Sequence, residues 1–123
     1  MIREYLSDLF TWDVTGHAEV QKTVKGDSSS QNVRFGEIVG FEYIIGNATE
    51  DITMTFNLYD HHGVPIHTKA AIPKGTTTVE RMKYVTTGTN IPIFGEGCKI
   101  GLDPSGDSGE VPITGRVRIY YES

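Results

Sequence analysis

Residues 51–73, DITMTFNLYDHHGVPIHTKAAIP, constrain the fold of this chain more than any other stretch. Ile52, Met54, Phe56 and Leu58 are apolar and alternate with Thr53, Thr55 and Asn57. That period of two marks a strand with one buried face. Asp60-His61-His62-Gly63 follows. Asp suits the first position of a type I turn, and Gly suits the left-handed residue after it. Apolar residues resume at Val64, Ile66, Ala70 and Ile72. Parity selects the register of the hairpin this implies. A two-residue loop at His61-His62 would set Leu58 opposite Pro65 and expose the apolar side of the second strand. A type I turn with a bulge at Gly63 sets Leu58 opposite Ile66 and Met54 opposite Ala70, so both apolar sets face one core.

The rest of the chain reads the same way. Strand-like runs cover residues 18–24, 33–46, 76–85, 91–94, 98–102 and 112–122, separated by turn signals. Fourteen glycines and five prolines supply those turns. In the strand of 33–46, Val39, Phe41, Tyr43 and Ile45 share a face, with Ile38 and Ile44 on the other. Pro65 cannot donate to a ladder, so the second hairpin strand is expected at a sheet edge, or else with the Pro65 nitrogen pointing outward. The polar run 26–32 reads as a loop. A length of 123 residues suits one core. The expected fold is all-β, an antiparallel β-sandwich or barrel-like domain over residues 18–123. Residues 1–17 form a short N-terminal arm or a first strand. Ile2, Tyr5, Leu6, Leu9 and Phe10 have the spacing of one or two helical turns, whereas Phe10, Trp12 and Val14 alternate as in a strand.

Charge and composition exclude some partners. The net charge of −5 gives no global attraction to nucleic acid. No apolar run is long enough for a membrane helix, and Met1-Ile2-Arg3-Glu4 opens no secretory signal, so synthesis and residence in the cytoplasm are expected. A single cysteine, Cys98, rules out an internal disulfide framework; its parity with Ile100 and Leu102 makes it a small buried side chain. Without a signal, the glycosylation pattern Asn47-Ala48-Thr49 reads as a turn.

Candidate chemistry is sparse. His61 and His62 beside Asp60 would need His17 or His67 to complete a zinc site, and no spacing fixes those partners. Blue copper is disfavoured because all four histidines precede Cys98 and no His or Met follows it. Asp103, Ser105, Asp107 and Glu110 offer oxygens in a glycine-containing loop that is too short for the helix-flanked calcium motif. No nucleophile elbow and no phosphate-binding glycine loop occurs. The residues therefore predict no enzyme, no metal and no cofactor. Arg116, Arg118 and Tyr120 form a basic-aromatic strip suited to surface ion pairs or a subunit contact.

Three stretches carry a family resemblance: GFEYIIGNATEDITMTFNLYDHHGVPI (40–66), IPIFGEGCKIGLD (91–103) and TGRVRIYYES (114–123). Their layout resembles the small β-rich structural proteins of tailed bacteriophages. The resemblance implies a capsid decoration or cement protein. Its partner would be the major capsid protein, it would commonly be a trimer, and it would sit on the exterior of the virion. A head-tail junction or tail component is the neighbouring alternative. A carbohydrate-binding module, using Trp12, Tyr59, Tyr120 or Tyr121 as an aromatic platform, is a rival. No binding residues follow from the match. The apolar density of the N-terminus does point to some: Ile2, Tyr5, Leu6, Leu9, Phe10 and Trp12 exceed what a free tail would show and are expected to join subunits or shell.

Overall fold

A computed structural model describes residues 1–25, 27–28, 31–82 and 93–123, and among these it contains strands and turns but no helix. The strands are β1 (Ile2–Leu6), β2 (Phe10–Trp12), β3 (Val20–Thr23), β4 (Asp27–Ser28), β5 (Gln31–Asn32), β6 (Gly36–Ile45), β7 (Thr53–Tyr59), β8 (Pro65–Pro73), β9 (Thr77–Arg81), β10 (Ile93–Phe94), β11 (Lys99–Pro104) and β12 (Ile113–Glu122). All but β4 and β5 build two antiparallel sheets around one core, the expected sandwich. In the six-stranded first sheet β12 and β6 pair at the centre. β1 and β2 succeed one another along the free side of β12, and β9 and β10 share the free side of β6. The second sheet runs β3-β11-β7-β8, which places Pro65 on an edge strand as its missing N–H requires. The polar run 26–32 holds a two-residue ladder, β4 with β5, where a plain loop is expected. The expectations for 83–92 lie outside the described residues.

The hairpin turn has the predicted chemistry. Gly63 has φ +82° and donates its N–H to Asp60 O at 3.0 Å. Asp60 Oδ1 accepts the N–H groups of His62 and Val64 at 2.8 and 2.9 Å, which locks the turn from its first residue. The bond from Val64 above all, with that from His62 and the nearby histidines, holds the Asp60 carboxyl below its ordinary range against the opposing effect of desolvation.

The register beyond the turn differs from the parity prediction. Tyr59 faces Pro65, but Leu58 then faces His67, Phe56 faces Lys69 and Met54 faces Ile72. Two bulges on β8 cause the slippage. Ile66 is the extra residue in the first, and the second contains Ala71 at φ +57°. Each bulge adds one residue to β8 alone and strengthens its twist. His67 therefore takes the place expected for Ile66 opposite Leu58. Ile66 still packs against the core as a half-buried side chain, and Ala70 is exposed.

A third bulge corrects the reading of β6. Tyr120 faces Gly40 and Tyr121 faces Ile38, leaving Val39 unmatched. Beyond it parity flips: Ile38 joins Phe41, Tyr43 and Ile45 in the core, while Val39 and Ile44 lie on the outer face, partly exposed. The core is aromatic at its centre, where Phe56 of the second sheet lies 5.1 Å from both Phe41 and Tyr43 of the first, ring centre to ring centre. Ile113, Val117, Ile119 and Tyr121 all point inward from β12, as their alternation predicts.

The helical option for residues 2–10 is not taken. β1 pairs with β12 from Ile2–Glu122 to Leu6–Arg118, and β2 pairs with it from Phe10–Gly115 to Trp12–Ile113. Between them the chain leaves the ladder for three residues and is pinned by Ser7. Ser7 N donates to Val117 O at 2.9 Å, and Ser7 Oγ accepts from Val117 N at 3.0 Å.

Candidate docking surface

Pairing with β12 sorts the six N-terminal candidates into two groups. Partners directly opposite in an antiparallel ladder share a face. Phe10 and Trp12, opposite Gly115 and Ile113, point inward, with 0% and 6% of their surface exposed. Trp12 Nε1 donates to Ala18 O at 2.8 Å, and the Phe10 and Trp12 rings stack 6.1 Å apart. Both belong to the chain's own core and leave the partner-binding set. Tyr5 also points inward, its half-buried ring 5.3 Å from that of Phe94. Desolvation, with a smaller push from Asp8, raises the pKa of its hydroxyl. Ile2 and Leu6 point outward from the first sheet. Ile2 is 56% exposed, and Leu9, in the break between β1 and β2, is 47% exposed.

The outer face of the first sheet gathers further apolar groups that the sequence reading did not select. Val79 on β9 is 59% exposed and Ile93 on β10 is 49% exposed. Two shallow grooves cross this face. One is lined by Ile2, Val39, Val79, Arg81 and Tyr120. The other is lined by Leu6, Leu9, Ile44, Thr114, Arg116 and Arg118. Arg118 NH1 pairs with Glu4 Oε1 at 3.1 Å. Its Nε lies 3.3 Å from Glu42 Oε1, close enough for attraction but misaligned for a hydrogen bond. The predicted ion pairs of the basic strip thus exist at Arg118.

The outer face of the second sheet differs in kind. Glu19 lies across Gly101 and collects hydrogen bonds from Asn57 Nδ2 at 2.8 Å, Tyr59 OH at 2.9 Å and Gln21 Nε2 at 2.8 Å. Desolvation alone would raise the Glu19 carboxyl, yet these donors together hold it below its ordinary range. Thr68 Oγ1 donates to Asn57 Oδ1 at 2.8 Å. This face is polar, and a hydrogen-bonded network centred on Glu19 runs across it.

A second polar cluster closes the seam between the sheets. Glu80 Oε1 accepts from Tyr43 OH at 2.6 Å and lies 2.8 Å from His67 Nε2, whose ring stacks on Phe41 at 4.8 Å. Burial pushes the Glu80 carboxyl up, but Tyr43, His67 and the nearby charge of Lys69 outweigh it and lower the pKa overall. Burial, then the bond to Glu80, drives the Tyr43 hydroxyl far above its usual value. The cluster joins β8 of one sheet to β9 of the other.

The residues weighed as metal ligands are dispersed. His17 Nδ1 lies 2.7 Å from Asp107 Oδ1, His67 is held by Glu80, and His61 and His62 sit together in the hairpin turn. Ser105 Oγ accepts from Thr53 N at 2.9 Å, and Glu110 N donates to Thr49 Oγ1 at 2.7 Å, so the 103–110 loop is tied to its neighbours. Among the described residues no group of three or more His, Cys, Asp or Glu is placed to hold a metal ion. Cys98 is buried and its thiol pKa is raised by desolvation.

No protein-family model matches the chain, and no curated protein matches it. Among solved structures, it is similar to a chain in the structure of infectious bursal disease virus Gx strain, with a TM-score of 0.37 and 11% identity over 98% of this chain and 32% of that one. A chain of the T=1 particles derived from that virus gives 0.35 and 11% over 98% and 32%. A chain of its VP2 subviral particle gives 0.35 and 9% over 98% and 33%. The chain thus spans about a third of the length of the solved chains it matches. Function rests on the surfaces described above.

Proposed function

We propose that this chain is a viral structural protein, a decoration or cement protein of a tailed phage that docks on the capsid shell through the outer face of its first sheet. The carrying observation is the contrast between the two outer faces: one carries a polar network centred on Glu19, the other exposes Ile2, Leu9 and Val79 along two grooves and Ile93 on the same sheet. Exposed apolar area collected on one face of a folded domain marks an interaction site. Removing one such side chain from water is worth roughly 1.5–3 kcal/mol. Several together give a lattice contact after the cost of association. The proposed role is non-enzymatic and needs no cofactor. The partner is the major capsid protein, and the chain is a trimer on the virion exterior. The resemblance of residues 40–66, 91–103 and 114–123 to phage structural proteins supports the same choice. The glycan-binding rival loses Trp12 and Tyr121 to the core, leaving Tyr59 and Tyr120, both half-buried.

The test uses the full chain and empty shells of the virus that encodes it. Ile2→Asp combined with Val79→Asp should leave melting unchanged and abolish co-sedimentation with shells. Thr23→Asp, exposed on the edge of the second sheet, should bind as the unaltered chain does. Native mass spectrometry should give three times the mass of the chain. Equal shell binding by the double variant, or binding of glycans without shells, would overturn the reading.

A further inference from the structure

The groove beside the break in the first edge strand has a feature that its apolar walls do not explain. Arg116 points outward from β12 opposite Ile44, where the chain between β1 and β2 leaves the ladder and Leu9 stands exposed. Its neighbour Arg118 has Glu4 and Glu42. Arg116 has no ion pair among the described residues, and its Nε is enclosed with no hydrogen-bond partner. This occurs in a chain where 16 acidic residues face 11 basic ones. An enclosed guanidinium N–H without an acceptor is destabilising, and a carboxylate is the acceptor that its geometry fits best.

Building on the outer face as a docking surface, we infer that this groove receives an acidic, aliphatic segment of the partner, with a carboxylate on Arg116 and flanking aliphatic side chains against Leu9 and Ile44. The chemistry selects the sign of the partner. Glu4 and Glu42 both lie against Arg118, so among the described residues Arg116 keeps no carboxylate of its own beside the apolar walls of the groove. A basic or purely aliphatic segment would leave Arg116 unsatisfied and further desolvated. A carboxylate in the same place supplies the missing acceptor in surroundings where salt screens it incompletely.

The experiment titrates the full ¹⁵N-labelled chain with acetyl-Leu-Asp-Ile-Glu-Leu-amide and with its neutral counterpart, acetyl-Leu-Asn-Ile-Gln-Leu-amide. The acidic peptide should shift the amides of Leu9, Ile44 and Gly46 and the Arg116 Nε–H resonance. It should bind about tenfold or more tightly than the neutral one. Arg116→Gln should remove that difference while leaving the rest of the spectrum unchanged, and Arg116→Lys should retain part of it. No shifts at millimolar peptide, equal binding of the two peptides, or an undiminished preference in Arg116→Gln would overturn the inference. Its failure is separable from that of the shell reading: unaltered shell binding by Arg116→Gln refutes the groove alone. Peptide selectivity in a chain that ignores shells refutes the shell role alone.

Discussion

Replacing Phe10 by Ala separates a residue of the core from a residue of the docking face one position away. Phe10 has no exposed surface, lies 6.1 Å from Trp12 and carries the Lys22 ammonium 5.3 Å above its ring. Its truncation removes a fully buried aromatic and leaves a cavity that the two flanking sheets cannot fill, a change that costs about 3–5 kcal/mol. Against a domain stability of roughly 5–15 kcal/mol, that is a large share of the total. With a urea slope of about 2 kcal/mol/M, the midpoint should fall by about 1.5–2.5 M. The single tryptophan, Trp12, provides the readout, since its fluorescence reports the same corner of the core. Leu9→Ala is the control: Leu9 is 47% exposed, and its truncation should change stability by no more than about 0.5 kcal/mol. A Phe10→Ala loss below about 1 kcal/mol, at an unchanged slope, would show that the N-terminal strands are not part of the core and refute the sorting of 2–12 into inward and outward residues.

Two further outcomes follow from the turn and the seam. Gly63→Ala should cost about 1–2 kcal/mol, seen as a lower urea midpoint. Nothing lies within 4 Å of the added methyl, so its whole effect is the strain of φ +82°. The Glu80 carboxyl titrates below its unfolded value of 4.5, so its contribution is complete above that value and is lost as pH falls through the lower folded one. Thermal melts across the acid range should therefore show a steeper loss of stability in the unaltered chain than in Glu80→Gln, and parallel curves would count against the Tyr43–Glu80–His67 seam.

The legible parts of the fold are those that depend on residue type at fixed spacing. Asp60 and Gly63 identify the turn because each has a distinct backbone role. The alternation in β12 identifies its inward face because no bulge interrupts it before Tyr120. What parity could not reveal is where a strand gains a residue. Ala71 adopts φ +57° without the glycine that usually announces such a position, and Val39 is pushed outward by a bulge whose cause lies in the pairing with β12. The proposed docking face was legible in part for the same reason. Ile2, Leu6 and Leu9 stand out by apolar density. Phe10 and Trp12 share that density, and only the β2–β12 register separates them. Val79 carried no signal until β9 was placed beside β6.

The two outer faces then divide the work of the sandwich by how their polar groups are satisfied. On the second sheet, Glu19 spans strands by binding Asn57 and Tyr59, and Thr68 extends the network to the edge. A partner seated on that network would compete with bonds already made. On the first sheet, the intramolecular pairs stop at Arg118. Beyond them lie exposed Ile2, Leu9 and Val79 and an Arg116 whose Nε has no acceptor among the described residues. A partner docked there as proposed gains buried apolar area and a hydrogen bond to Arg116 Nε that no described residue makes. Binding therefore favours this face through interactions the monomer leaves open. Both grooves lie on this face because β12 and β6, flanked by strands on both sides at the centre of the sheet, hold them, while the edge that shapes the Arg116 groove is broken at residues 7–9.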